Sequence, residues 1–430
     1  MKKTTIISGQ FKIQDKVKSG YLAVDSSTGI IKDFILSCDI PKNKEFDILS
    51  YGPEYLIECG DFNCHSHPEQ SLYKNIVNKD WDLSTWCKNT IYKYSVLLEP
   101  SHIYYGCVSA FRTMLLNGIT SVIVSFYCHN NADNLYDQQV IKAAEDTGIR
   151  LYFGRVNYDV INEDSYEGKI LSQRSYFESV EEYTSNFTSL LDGIKSNNIV
   201  IAPAVHSLHG SSMESIINAV NLGNKYNRLV QIHLSEDKND VSLCLKKYGL
   251  RPVEFLVDLY KKNYISSLKN LLLSDCIWLN EKEIELIAKY NMKIVINARM
   301  NKKMGVGTAD IPCFLKHGIV TYLGTDGEAS NYSLSIEDEK TFLKDNYKDI
   351  PEDIIDMLGG EAVEFNNGCI EDIGIGAFCD LKIMKNNKVK DVFVSGKKVV
   401  EDGELLNAAL ENSIDENLKK SLQELNSKIK

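Results

Sequence analysis

Leu56-Ile57-Glu58-Cys59-Gly60-Asp61-Phe62-Asn63-Cys64-His65-Ser66-His67 is a largely apolar run that ends in two histidines separated by one residue. In an extended strand, side chains two positions apart share a face, so the two imidazoles project the same way and can grip one ion. The pattern recurs downstream. Leu229-Val230-Gln231-Ile232 closes on His233, with Glu236 three residues further on as a possible proton donor, and Ile319-Val320-Thr321-Tyr322-Leu323-Gly324-Thr325 closes on Asp326, followed by Gly327. A carboxylate ending an apolar strand has little structural purpose unless a positive partner awaits it. Apolar runs alternating with stretches of helical period give candidate strands ending near His67, Ser125, Arg155, Val205, His233, Asp275, Ile296 and Thr325. Eight such runs predict an α/β fold, a (β/α)8 TIM barrel, with His65, His67, His233 and Asp326 at the C-terminal strand ends where barrel enzymes place their active sites. No Gly-rich phosphate loop follows any of these runs, so a dinucleotide-binding open sheet has no anchor.

Outward from this core, residues 1–57 read as short strands and turns, with Gly20-Tyr21-Leu22-Ala23-Val24-Asp25 entering the turn Ser26-Ser27-Thr28-Gly29. A matching unit near the other end runs from Cys379-Asp380-Leu381-Lys382-Ile383-Met384 through Asn386-Asn387 to Val392-Phe393-Val394 and Val399-Val400. The expected organisation is a small β-sandwich from both chain ends, 1–57 and 366–430, around a barrel over 58–365. Asp415 to Lys430 reads as a charged helix with a solvated face.

Composition narrows the partners. Of 430 residues, 43% are hydrophobic and 25% charged, as in ordinary soluble chains. A net charge of −11 disfavours nucleic-acid polymers. The start reaches Gln10 before an apolar signal region develops, and no run approaches the roughly 20 apolar residues of a membrane span. The 11 cysteines contain no C-x-x-C pair and fit reduced thiols, so a cytoplasmic protein without a membrane partner is expected.

Several motifs together resemble one family. They are Gly60 through His67, Leu83-Ser84-Thr85-Trp86, Leu116-Asn117-Gly118-Ile119-Thr120-Ser121, His206-Ser207, His233-Leu234-Ser235-Glu236, Tyr248-Gly249-Leu250-Arg251-Pro252-Val253-Glu254, and Leu323-Gly324-Thr325-Asp326-Gly327-Glu328-Ala329-Ser330-Asn331. Over nearly the whole chain this resembles the cytosine-deaminase-like branch of the amidohydrolase superfamily, which includes aminohydrolases and chlorohydrolases of purine, pyrimidine and triazine rings. The resemblance implies one divalent metal ion, Zn2+ or Fe2+, on His65, His67, His233 and Asp326. The ion acidifies a bound water to give hydroxide near neutral pH. It also implies catalytic roles for Glu236, which protonates the ring nitrogen, and Asp326, which passes the water's proton toward leaving ammonia. The implied activity is hydrolysis of a carbon–nitrogen bond in a small nucleobase-like heterocycle. His206 matches a substrate contact, and analogy with such barrels allows a homodimer. No lysine lies near Ile199 to Val205, so a carbamylated bridge between two metals has no source.

The chain departs from the pattern at three places. Asp275, a third catalytic candidate, stands where the branch has a histidine that steadies the attacking water, putting a second carboxylate beside a nascent hydroxide unless it holds a proton or ligates the ion. Asn297-Ala298-Arg299-Met300-Asn301 lacks the usual Pro and Ser, and His209 replaces an aromatic residue. Arg155, Trp86 and His209 are candidate substrate contacts. His102 and His317 are expected to be structural, and His129 is left open. Two alternatives stay open beside deamination: hydrolysis of non-ring amides or carbon–halogen bonds, and a metal- or ligand-binding relative without turnover, for which Asp275 speaks.

Overall fold

The computed structural model describes residues 4–13, 16–37, 39–40, 45–358, 364–365, 368–369 and 373–429. At its centre is a parallel sheet of β1 (Asp61–Ser66), β2 (Ile119–Phe126), β3 (Arg150–Asn157), β4 (Ile199–Ser207), β5 (Val230–Leu234), β6 (Leu271–Asp275), β7 (Lys293–Ile296) and β8 (Thr321–Leu323), hydrogen-bonded in chain order. The N–H groups of Thr325 and Asp326 donate to the His65 carbonyl at 3.2 and 3.1 Å, which brings the last strand to the first and nearly closes a barrel. Each strand ends within two residues of its expected end. Strands β2 and β3 are buried at every position, as strands covered on both faces must be, and this is why they read as continuous apolar runs. Phe62, Ile123, Tyr152, Val200, Leu272 and Tyr322 fill the barrel interior.

The chain ends pair into a single nine-stranded sheet, joined where Leu56–Cys59 runs antiparallel to Leu381–Lys385. It has its own apolar cluster, including Phe11, Leu22, Ile57 and Phe393. The boundary expected at residue 366 lies outside the described residues. The terminal helix, Ile414–Lys428, is less solvated than its charge predicts: Ile414, Leu418 and Leu425 are buried. Their helical spacing was hidden among charged neighbours. Among the described residues no helix is long and apolar enough to cross a membrane.

The terminal sheet meets the barrel at the end opposite His65. Arg150, which opens β3, donates to Asp380 through Nε at 2.8 Å and Nη2 at 2.9 Å, and its guanidinium lies 3.6 Å from the Phe378 ring centre. Both charged side chains are buried. Arg150→Met leaves Asp380 without its cation, and a loss of about 3 kcal/mol in urea unfolding is expected, since breaking one side of a buried pair strands the other charge.

Candidate active site

The rings of His65, His67 and His233 converge at the C-terminal mouth of the barrel, with centroids 4.9 Å apart for His65–His67 and His65–His233 and 5.3 Å for His67–His233. Each ring is oriented through Nδ1. The acceptors are the Gln231 side-chain oxygen at 3.2 Å for His65, the Ser125 carbonyl at 2.7 Å for His67 and the His206 carbonyl at 2.8 Å for His233. A carbonyl can only accept, so each Nδ1 carries a proton, and a neutral ring then presents its lone pair at Nε2. The Nε2 atoms of His67 and His233 are 3.2 Å apart, and that of His65 is buried with no hydrogen-bond partner. Lone pairs brought together in this way fit a cation between them. Asp326 Oδ1 completes the group, 3.3 Å from His65 Nε2 and 3.5 Å from His67 Nε2. Three imidazoles and a carboxylate form a donor set suited to zinc or iron. Among the described residues, His65, His67 and His233 are the only cluster of this kind.

Electrostatics agree with neutral imidazole donors at two of the rings. Burial pushes His67 down to about 3 and also lowers His233. Burial works against the charged forms of His65 and Asp326 as well, but their proximity outweighs it, raising His65 and holding Asp326 below the usual carboxylate range. The Ser330 hydroxyl donates to the other Asp326 oxygen.

A bulge explains how the histidine pair reaches the site. The register of β1 against β2 shifts between Asn63 and Ser66. Phe62 and Cys64 belong to the interior cluster, yet His65 and His67, of opposite parity, meet His233. A regular strand cannot send both sets inward; a bulge re-aims the second set.

Glu236 and Asp275 stand nearby. Burial first, then the charges of Asp275, Asp240 and Asp326, push Glu236 well above the usual carboxylate range, which favours its protonated form. Asp275, fully buried at the end of β6, accepts from Asn297 Nδ2 at 2.9 Å and Asn301 Nδ2 at 3.0 Å.

Above these residues opens a cavity of about 450 Å³, within the range of small-molecule sites. Trp86, His206, His209, Glu236 and Asp326 line it. His206 lies 5.5 Å ring to ring from His233, and His209 is half-exposed and paired with Asp240 at 2.9 Å. The indole N–H of Trp86 is buried without an acceptor.

Arg155 corrects the sequence reading. It is absent from the cavity wall; its guanidinium is buried against Glu178 at 2.6 and 2.8 Å and Asn134 at 3.1 Å. That carboxylate neutralises the cation from a separate segment, which directs the Arg155 side chain away from the cavity. His129, paired with Asp137 at 3.2 Å and the Val156 carbonyl at 2.9 Å, lies in the same buried network. His102 caps a helix by accepting from the Glu99 N–H at 2.9 Å, and His317 donates to the Cys313 carbonyl at 2.9 Å.

Residues not singled out from the sequence also shape the site. Gln231, which orients His65, was legible in principle, since it precedes His233 by two positions on the same strand face. Gln70, Tyr92, Tyr127, Tyr158 and Lys169 join the cavity wall from separate segments and carry no common sequence signal. A Cβ on Gly327 would overlap the Gln70 side chain, so that glycine makes room for the amide.

Glu69, just behind His67, has both carboxyl oxygens buried and unpartnered, and burial pushes it from 4.5 up to about 8. Because the folded value lies above the unfolded one, the folded state favours the protonated form. Stability is therefore full below pH 4.5 and falls as pH rises through about 8. In metal-free protein, Glu69→Gln is expected to gain on wild type by about 1 kcal/mol per pH unit across that window, measured by urea unfolding.

The profile of the amidohydrolase family matches residues 57–399. A 5-methylthioadenosine/S-adenosylhomocysteine deaminase of Thermococcus sibiricus is 27% identical over 393 residues, covering 86% of this chain and 85% of the relative. A 5'-deoxyadenosine deaminase of Methanococcus aeolicus is 25% identical over 404 residues, covering 87% and 88%. In fold, the chain resembles a zinc-bound adenosine deaminase from Xanthomonas campestris, with a TM-score of 0.79, 19% identity and coverage of 97% and 98%. It is equally similar to a zinc complex of atrazine chlorohydrolase from Arthrobacter aurescens, with a TM-score of 0.80, 18% identity and coverage of 97% and 100%. With a barrel of this topology, a histidine cluster at its mouth and a profile match across most of its length, the chain belongs to the amidohydrolase family, hydrolases of carbon–nitrogen bonds.

Proposed function

We propose that the protein deaminates an amino-substituted heterocycle hydrolytically, and that its substrate is an adenosine-like nucleoside or a related nucleobase. The observation that carries this reading is the convergence of three histidine Nε2 atoms and Asp326 beside Glu236, a carboxyl group whose burial favours its protonated form. His65, His67, His233 and Asp326 would hold one divalent ion, zinc or iron. When bound, such an ion supplies an acidified water as nucleophile. Glu236 gives its proton to the ring nitrogen adjoining the attacked carbon, which lets that carbon accept electrons. Asp326 takes the proton released by the water and delivers it to the amino group, which departs as ammonia, while the hydroxyl left on the attacked carbon gives its proton back to Glu236 as the carbonyl forms. The Trp86 N–H and the Gln70 side-chain oxygen, both buried and unpartnered, offer a donor and an acceptor to the polar edges of a ring. His206 and His209 flank the same cavity. Deaminase relatives acting on adenosine derivatives favour the nucleoside end of this range.

The test is ammonia release from zinc-loaded and iron-loaded protein on a panel of 5'-deoxyadenosine, 5'-methylthioadenosine, S-adenosylhomocysteine, adenosine, guanine, cytosine and a pterin, with metal content assayed in parallel. Turnover of an adenosine derivative supports the proposal. Chloride release from a chlorotriazine without any deamination would assign the site to the carbon–halogen alternative. Metal-replete protein inert on the whole panel would sink the deaminase reading.

A further inference from the structure

Asp275 is a buried carboxylate with only half of its acceptor capacity used. Oδ1 takes both amide donors, from Asn297 at 2.9 Å and Asn301 at 3.0 Å, while Oδ2 is buried with no hydrogen-bond partner. Leaving a carboxyl oxygen out of water without a donor or cation is costly, and such an atom persists where a partner completes it. As placed, both amides donate through Nδ2 to one atom of Asp275, an arrangement that a carboxylate oxygen accommodates.

The location is next to the histidine cluster. In the register of β5 against β6, His233 pairs with Ser274 and Leu234 with Asp275. Asn297, which also donates to the Ser274 hydroxyl at 3.0 Å, lies against the strand of the first ligand: a Cβ on Gly324 would collide with its side-chain oxygen and stand 2.8 Å from the His65 Cβ. The negative charge of Asp275 acts on His65, His233 and Glu236 alike. The backbone is committed as well. Asp275 and the following Cys276 have φ of 75° and 53°, a left-handed pair uncommon for residues with side chains, with the Cys276 N–H held by the Leu234 carbonyl at 3.1 Å. The two departures from the family pattern, Asp275 and the Asn297 to Asn301 segment, are thus one hydrogen-bonded device.

We propose that Asp275, oriented by Asn297 and Asn301, is a fifth protein anchor of the metal site and contributes its free oxygen to holding the cation. The inference rests on the metal site of the proposed function. With Asp326 it supplies two carboxylates to one dication, which makes the assembly electrically neutral and tightens cation binding.

The test is Zn2+ affinity of the full chain, measured by competition with a chromophoric chelator, for wild type, Asp275→Asn and Asn301→Ala, with thermal unfolding as a check on folding. An asparagine at 275 can turn its oxygen toward the two amide donors and present NH2 where Oδ2 stood, so it keeps the shape and removes the charge. Zn2+ binding about 10- to 100-fold weaker than wild type is expected for Asp275→Asn, the range seen when a partner of a metal site is lost. Asn301→Ala, which keeps the carboxylate but loosens its hold, is expected to weaken binding by a smaller factor and gives a second reading should Asp275→Asn fold poorly. Folded variants that bind Zn2+ within twofold of wild type would overturn the fifth anchor while leaving the four-residue site intact. Failure of wild type itself to bind Zn2+ overturns the proposed metal site first, and the anchor with it.

Discussion

His233→Ala protein is expected to purify without stoichiometric metal and to lose turnover by more than about 100-fold, beyond the range for losing an outer partner of a metal site. The ring is held by the His206 carbonyl at 2.8 Å and brings its Nε2 to within 3.2 Å of His67 Nε2. Removing it deletes one of three convergent nitrogens without disturbing the bonds that orient His65 and His67. Stability gives an independent readout. A cation that binds only the folded state adds about 4 kcal/mol at a free concentration 1,000 times its dissociation constant. A chelator should therefore lower the Tm of metal-loaded wild type and leave His233→Ala unchanged. Full metal occupancy in that variant, or a wild-type Tm indifferent to chelation, would refute the assignment of the ligands.

Glu236→Gln is expected to lower kcat by about 10³-fold while metal content stays at the wild-type level. The reason is that this side chain stands outside the histidine cluster and yet is pushed toward its protonated form, by burial and by the surrounding carboxylates of Asp275, Asp240 and Asp326. A glutamine keeps the volume and the polarity but has no acidic proton to give. The sign of the pH dependence follows. Wild type needs the protonated form, so its rate falls on the alkaline side as Glu236 finally ionises, and the residual rate of the glutamine variant should lack that limb. A variant that retains wild-type kcat, or one that loses its metal, would remove Glu236 from the role of proton donor.

Which parts of this were legible in the chain follows from where the information lies. The barrel strands announced themselves because strands covered on both faces must be apolar throughout, as β2 and β3 are. His65, His67, His233 and Asp326 stood out because polar, metal-binding side chains end otherwise apolar runs. Arginine was harder. Arg150 and Arg155 lie on the same strand, and the chain itself does not reveal that Asp380 neutralises one and Glu178 the other. The structure places Arg155 against Glu178 and away from the cavity wall, and an ion pair of this kind depends on a partner brought near by folding, which strand-end position alone does not supply.

The sequence by itself determined the alternation of strands and helices and the residue types at the barrel mouth, because periodicity and side-chain chemistry are local properties. Only the tertiary structure decided how those residues are aimed. The bulge between Asn63 and Ser66, the tautomers set by carbonyls of Ser125 and His206, and the amide clamp on Asp275 all arise from strands that meet after folding. A hydrogen bond is made between atoms a few ångströms apart in space, whatever their separation along the chain, and that distance is written nowhere in the order of the residues.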